Sequence, residues 1–229
     1  MKKLTDKQLD QFLKNTEVKD EDGRPLVVYR GEHGAMEGAK TGLQTVLGTY
    51  SFGGHQTASG YAIHPNNRTM TPHQSRVFPV YLRVNKPFVG DPKHPNDPFL
   101  DFTYVEKQLG HKVAVAFFIK HGYAVEHTDN WDDINKDKQF KGIEDFYNRH
   151  PERMKELYAN TYHFLDDLEF IAVLKAKGFD GAISGGTGAN AMEVEYRVFD
   201  ASNIVFALSQ EIAAAPTKIR RLEPAEMAI

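Results

Sequence analysis

Apolar positions recur along this chain at two different periods, and the changes of period mark its elements. Thr5-Asp6-Lys7-Gln8 ahead of Leu9, Phe12 and Leu13 predicts a short capped helix. A polar turn from Asp20 to Pro25 leads to a short apolar strand, Leu26 to Tyr29, stopped by Arg30-Gly31. Thr49 to Phe52 predicts a strand and Thr57 to Ile63 a short helix. Val77 to Val84 alternates with a period of two, as a strand with two distinct faces does. The proline-rich stretch from Pro87 to Asp101 predicts a loop, and Tyr104 to His121 a helix. Asn130 to Lys141 is polar and reads as irregular. Leu157, Phe164, Leu165, Leu168, Ile171 and Leu174 give residues 152–177 helical spacing, with Gly178 as the cap. Phe179 to Ser184, Val194 to Phe199 and Ile204 to Leu208 supply three further strands.

Short scattered strands with helices clustered in the middle make an α+β pattern and disfavour a doubly wound sheet, which needs regular βα alternation. The 229 residues fit one large domain or one domain with an extension. The reading divides them into an N-terminal helical extension at 1–25, a main domain at 26–208 and a tail at 209–229. The tail is rich in Ala, Pro and charge and reads as poorly ordered.

The formal charge of -3, with both signs mixed throughout, gives no electrostatic case for a nucleic-acid binder, though a local patch could still meet such a substrate. The chain has no cysteine, which excludes disulfides, thiolate zinc sites and a cysteine nucleophile. The N-terminal residues have no apolar run behind them and do not read as a signal peptide. The longest apolar run, Val113 to Ile119, is too short to span a bilayer, so the expectation is a protein without a membrane role, cytoplasmic or delivered into a host or target cell without a classical signal. The ten histidines show no zinc spacing with a third ligand; they read as surface or supporting residues, and no metal is expected. No phosphate loop is present, because Gly185-Gly186-Thr187-Gly188 lacks the following lysine and precedes a strand.

That same glycine-rich segment runs straight into Glu193-Val194-Glu195-Tyr196-Arg197-Val198. In a strand, Glu193 and Glu195 stand side by side on one face. Like charges so placed repel. Either both are solvated acids of an edge strand, or each carboxylate has a partner or a task.

Three segments in order carry a family resemblance: Val27-Val28-Tyr29-Arg30-Gly31-Glu32, then Gly48-Thr49-Tyr50-Ser51-Phe52 with Ala58-Ser59-Gly60-Tyr61-Ala62 behind it, then Glu193-Val194-Glu195. Their order resembles the ADP-ribosyltransferase superfamily, whose enzymes transfer ADP-ribose from NAD. The flanking segments Leu174 to Ala182 and Tyr196 to Ile204 look like ADP-ribosyltransferase domains of phage and mobile-element proteins, and toxins share the superfamily. The resemblance covers roughly residues 26 to 208. Tyr50 and Tyr61 are spaced like the paired tyrosines of the poly-ADP-ribose polymerase and diphtheria-toxin branch. Arg30 and the Glu-x-Glu pair resemble the cholera-toxin-like branch instead.

The resemblance implies a split mixed and antiparallel sheet core with a helical middle region, and NAD as substrate. It implies Glu195 as the catalytic carboxylate, on the ribose hydroxyl, with Glu193 engaging an incoming arginine side chain. Arg30 is implied to hold phosphate or ribose oxygens, Gly31 to give close backbone approach to the nicotinamide amide, and Ser51 to brace Glu195. Tyr61 is implied to stack on the nicotinamide ring, with Tyr50 on its other side. A fixed carboxylate suits this chemistry, since cleavage of the nicotinamide–ribose bond passes through an oxocarbenium-like state that is positive at the ribose. A protein acceptor is expected, and a nucleic-acid acceptor is the alternative. Two other readings stay open: an NAD glycohydrolase using water as acceptor, and a binding module of the same fold without chemistry. The middle region, from Pro87 to about Leu174, carries no readable chemistry.

Overall fold

The computed structural model describes residues 4–32, 49–63, 76–90, 97–186 and 193–207. The first helix, α1 (Asp6–Leu13), starts at the expected capping box: the Gln8 amide donates to the Thr5 hydroxyl while the Thr5 amide donates to Gln8 Oε1 at 2.9 Å. Leu13, Thr16 and Val18 are buried. The Thr16 hydroxyl donates to the Leu82 carbonyl at 2.7 Å, and the Leu26 amide to Val18 at 3.0 Å. The segment expected as an extension is therefore woven into the sheet body, because its buried threonine and valine need partners there.

Two sheets form that body. Strands β1 (Val28–Glu32), β3 (Arg76–Leu82) and β9 (Ile204–Phe206) make an antiparallel sheet in the order β1-β3-β9. Strands β2 (Tyr50–Phe52), β8 (Val194–Val198), β7 (Gly181–Gly185) and β4 (Pro87–Val89) make a mixed one in the order β2-β8-β7-β4, parallel only between β4 and β7. Tyr29 and Gly53 exchange two backbone hydrogen bonds, at 2.8 and 3.0 Å, and so link the edge of one sheet to the other. Helix α2 (His55–Ile63) follows at once and lies against β1. The contact is close enough that a Cβ on Gly31 would overlap the Ala58 carbonyl oxygen. Val28, Val80, Leu82 and Ile204 of the first sheet meet Phe52 and Val198 of the second in a small core that also holds Val18 and Val84.

The opposite face of the mixed sheet carries Phe88 and Ala182 into a larger core built by the middle of the chain. That lobe holds α3 (Phe102–Leu109), α4 (His111–Lys120), α5 (Gly122–Glu126), α6 (Asp129–Ile134), α7 (Ile143–Arg149), α8 (Thr161–Leu165) and α9 (Leu168–Ala176). Interlocked phenylalanines fill it: ring centroids of Phe164 and Phe170 are 5.4 Å apart, and of Phe118 and Phe164 5.1 Å.

Four expectations change here. The stretch 87–101 contains two strands, β4 and β5 (Phe99–Asp101); Pro87 is tolerated because, among the described residues, β4 is an edge strand that pairs only with β7. The helix expected from Tyr104 to His121 breaks at Gly110, whose φ of 98° is open to glycine. Part of the polar stretch 130–141 belongs to α6, capped by Thr128. The helical spacing of 152–177 is divided among a 3-10 turn (Pro151–Glu156), the strand β6 (Tyr158–Asn160), α8 and α9. Asn160 and Asp167 explain that division. Each accepts a backbone amide two residues on, at 2.9 and 2.8 Å, and so starts a new helix within the apolar pattern. The tail beyond residue 207 lies outside the described residues.

The Gly31 approach gives a stability prediction. Gly31→Ala lowers the denaturant midpoint by an amount equivalent to about 1–3 kcal/mol, the usual cost of forcing an extra carbon into packed structure. Gly53→Ala changes it far less, since its Cβ would stand 3.7 Å from Thr57 Cγ2, an ordinary contact. Equal midpoints for the two variants would contradict the packing described.

Candidate active site on strand β8

Strand β8 lies between β2 and β7, so its side chains alternate between the two cores. Tyr196 pairs with Phe52 and Val198 with Tyr50, on the face of the small core. Arg197 pairs with Ser51 on one side and Ala182 on the other, and Glu195 pairs with Ser184. Glu195 and Arg197 therefore share the face that meets the helical lobe. Ser51 stands on this face as well. Tyr50 does not: it packs on the small core, across the sheet from Glu195, so the structure does not bring Tyr50 and Tyr61 to two sides of one ring.

Among the described residues, the side-chain hydrogen bond that reaches the Glu195 carboxylate comes from Arg197, not from Ser51. Arg197 Nη2 donates to Glu195 Oε1 at 3.2 Å. Its Nη1 donates to Asp166 Oδ1 at 2.6 Å and to the Leu165 carbonyl, both at the end of α8. The Arg197 side chain is 4% exposed, against 21% for Asp166 and 23% for Glu195. A single buried cation thus faces two carboxylates, and the cluster keeps a net negative charge at a partly open surface. Among the described residues Glu195 Oε2 has no hydrogen-bond partner.

Glu193 has a separate environment. Its Oε2 accepts from the Thr57 hydroxyl, and Oε1 lies so near Gly54 that a Cβ there would overlap it. The carboxylate thereby sits at the start of α2, where the helix dipole favours negative charge. Glu193 lies one residue ahead of β8, and each acid has its own partner, which relieves their like-charge repulsion.

Two half-exposed tyrosines border the cluster. Tyr61, from α2, is 44% exposed, and Tyr162, from α8, is 43% exposed. Burial pushes the Tyr61 phenol above its ordinary range, and the charges of Glu195 and Asp166 push it further. The Tyr162 phenol is pushed up to about 12, first by burial and then by Asp166. Tyr196, on the other face, is raised by burial and by Glu193.

Arg30 is buried in the middle of β1. Its Nε donates to Glu32 Oε1 at 2.7 Å and its Nη1 to the Ser51 carbonyl at 3.0 Å, so it ties β1 to β2. Gly31 beside it gives close approach to α2. His55 makes an edge-on contact with Tyr29, centroids 5.1 Å apart. The glycine-rich residues 187–192 and His33 lie outside the described residues. Among the described residues no three His, Asp or Glu side chains are placed to hold a metal ion, and no helix is long and apolar enough to cross a membrane.

Sequence reasoning passed over Arg197, Asp166 and Tyr162. Arg197 had a usable signal, since alternation puts it on the face of Glu195. Asp166 and Tyr162 had none, because only the tertiary fold brings α8 to β8.

The raised Tyr162 phenol has a pH consequence. An unfolded chain ionises this group at the ordinary value near 10.0 and the folded chain near about 12, so between these values the unfolded state holds fewer protons. Stability falls as pH rises through that window. Tyr162→Phe makes the fall shallower when denaturant titrations are compared across it, and an unchanged slope would refute the assignment. Compared with known proteins, the chain matches no family model, no curated protein and no solved structure.

Proposed function

We propose that this protein is an NAD-dependent mono-ADP-ribosyltransferase acting through Glu195. The observation that carries the reading is the Glu195 carboxylate itself: one oxygen is fixed by a buried arginine, the other has no partner among the described residues, and the half-exposed ring of Tyr61 stands beside it. The order of Arg30, Ser51 and Glu195 in three strands that meet at one sheet junction supports the same reading.

The chemistry follows from the charges. NAD carries a cationic nicotinamide ring, and a negative, aromatic-bordered site suits a flat cation. As the bond from ribose C1′ to the ring nitrogen breaks, its electron pair stays with nicotinamide, which leaves neutral. Positive charge moves onto the ribose, where a fixed carboxylate stabilises it more than it stabilises the ground state. The acceptor then adds to C1′ and releases its proton.

Glu193 favours a second reading. Its carboxylate, assigned by resemblance to an arginine acceptor, is already engaged by Thr57 at the start of α2. With that carboxylate committed to the fold, water becomes the acceptor and the enzyme an NAD glycohydrolase.

Nicotinamide release from NAD tests the common step. Glu195→Gln is expected to slow it about 10²–10³-fold, the usual cost of losing one electrostatic contact to a transition state. A variant as fast as the wild type would remove Glu195 from the chemistry. Glu193→Ala separates the two readings: for a transferase, labelling of protein in a lysate drops while nicotinamide release continues, and for a glycohydrolase no labelling is seen in either protein. Absence of release by the wild type, lysate included, would leave a binding module without chemistry.

A further inference from the structure

We propose that Arg197 is a positioning residue that aims the Glu195 carboxylate, and that the helical lobe sets where Arg197 stands through Asp166 and the Leu165 carbonyl. The proposal rests on the transferase reading and adds to it the residues that prepare its carboxylate.

The geometry separates the two ends of the guanidinium. Nη1 is held by the lobe, through Asp166 Oδ1 at 2.6 Å and the Leu165 carbonyl, while Nη2 alone reaches Glu195. The arginine is enclosed on both flanks, paired in register with Ser51 and Ala182. It has little freedom to turn. A glutamate at the rim of a sheet samples several rotamers, and a single fixed donor on Oε1 selects among them. The selection leaves Oε2 as the oxygen able to meet a substrate hydroxyl. Lysine offers a point charge without a fork and cannot keep the lobe contacts and the Glu195 contact together.

A purely structural ion pair between lobe and sheet would have the same contacts but different consequences. It would alter folding whether or not Glu195 is present, and it would not act on the chemical step selectively.

The test is steady-state nicotinamide release by wild type, Glu195→Gln, Arg197→Lys, Asp166→Asn and the double variant Glu195→Gln/Arg197→Lys, each first shown to melt cooperatively. Arg197→Lys is expected to lower kcat about 10²-fold, the effect of misplacing a reacting group by about 1 Å, with little change in KM for NAD. Asp166→Asn lowers kcat more mildly. The double variant is expected to be no slower than Glu195→Gln alone, because there is no carboxylate left to aim. Arg197→Lys at wild-type kcat beside a crippled Glu195→Gln would overturn the proposal and leave the transferase reading intact. A further full loss in the double variant would overturn it in favour of a structural role. No release by the wild type, or an undiminished Glu195→Gln, would overturn the reading and the proposal together. Should Arg197→Lys fail to fold, Asp166→Asn bears the same test, since it leaves Arg197 and its bond to Leu165 in place; wild-type kcat there would count against the proposal.

Discussion

A buried arginine cannot be left unpaired, and Arg197 stands in the middle of the mixed sheet where neither neighbouring strand offers it an anion: Ser51 is on one side and Ala182 on the other. Its partners have to come from elsewhere. Asp166 and the Leu165 carbonyl come from the end of α8, and Glu195 from two residues back along the same strand. This requirement places the helical lobe over β8. Apolar contacts are not directional, so the seat of the lobe on the sheet is chosen by this ion pair together with the Gly185 amide on the Asp97 carbonyl and Lys86 Nζ on the Lys177 carbonyl. The same requirement leaves Glu195 at the border of sheet and lobe, partly open, instead of on a solvated edge.

The opposite end of the site depends on close backbone approach. Gly31 lets α2 lie against β1, and Gly54 lets the Glu193 carboxylate sit at the start of that helix. Both contacts exploit the missing Cβ of glycine. Together they hold α2 where Tyr61 borders Glu195. The site is thus assembled from three bodies: the strand that carries Glu195 and Arg197, the helix that carries Tyr61, and the lobe that carries Asp166 and Tyr162. The Glu195 carboxylate is held by one donor, Arg197, which the lobe itself fixes, and such pre-organisation is the property that an electrostatic transition-state role requires.

Local patterns in the chain were informative where local physics decides. The Thr5–Gln8 box starts α1, and the alternation around Val194 to Val198 marks β8 and puts Glu195 and Arg197 on one face. They misled where the context is tertiary. Prolines around 87–101 suggested a loop, yet Pro87 opens an edge strand, where a missing N–H costs nothing. Apolar spacing across 152–177 suggested one helix, yet Asn160 and Asp167 each restart the chain by capping. The candidate site was legible in the same measure. Alternation puts Glu195 and Arg197 on one face, but no period links Asp166 to Arg197, which are 31 positions apart. Tyr50 illustrates the opposite failure: its spacing to Tyr61 looks functional, whereas strand alternation sends it into the small core.

Under the proposed function, NAD binds at the border between β8, α2 and α8. The most direct measurement is a map of backbone amide shifts as NAD is titrated into isotopically labelled protein. The account predicts saturable shifts centred on Ser51, Tyr61, Glu195, Arg197 and Asp166, with the far side of the helical lobe unaffected. Shifts that cluster elsewhere, or none at saturating NAD, would contradict it.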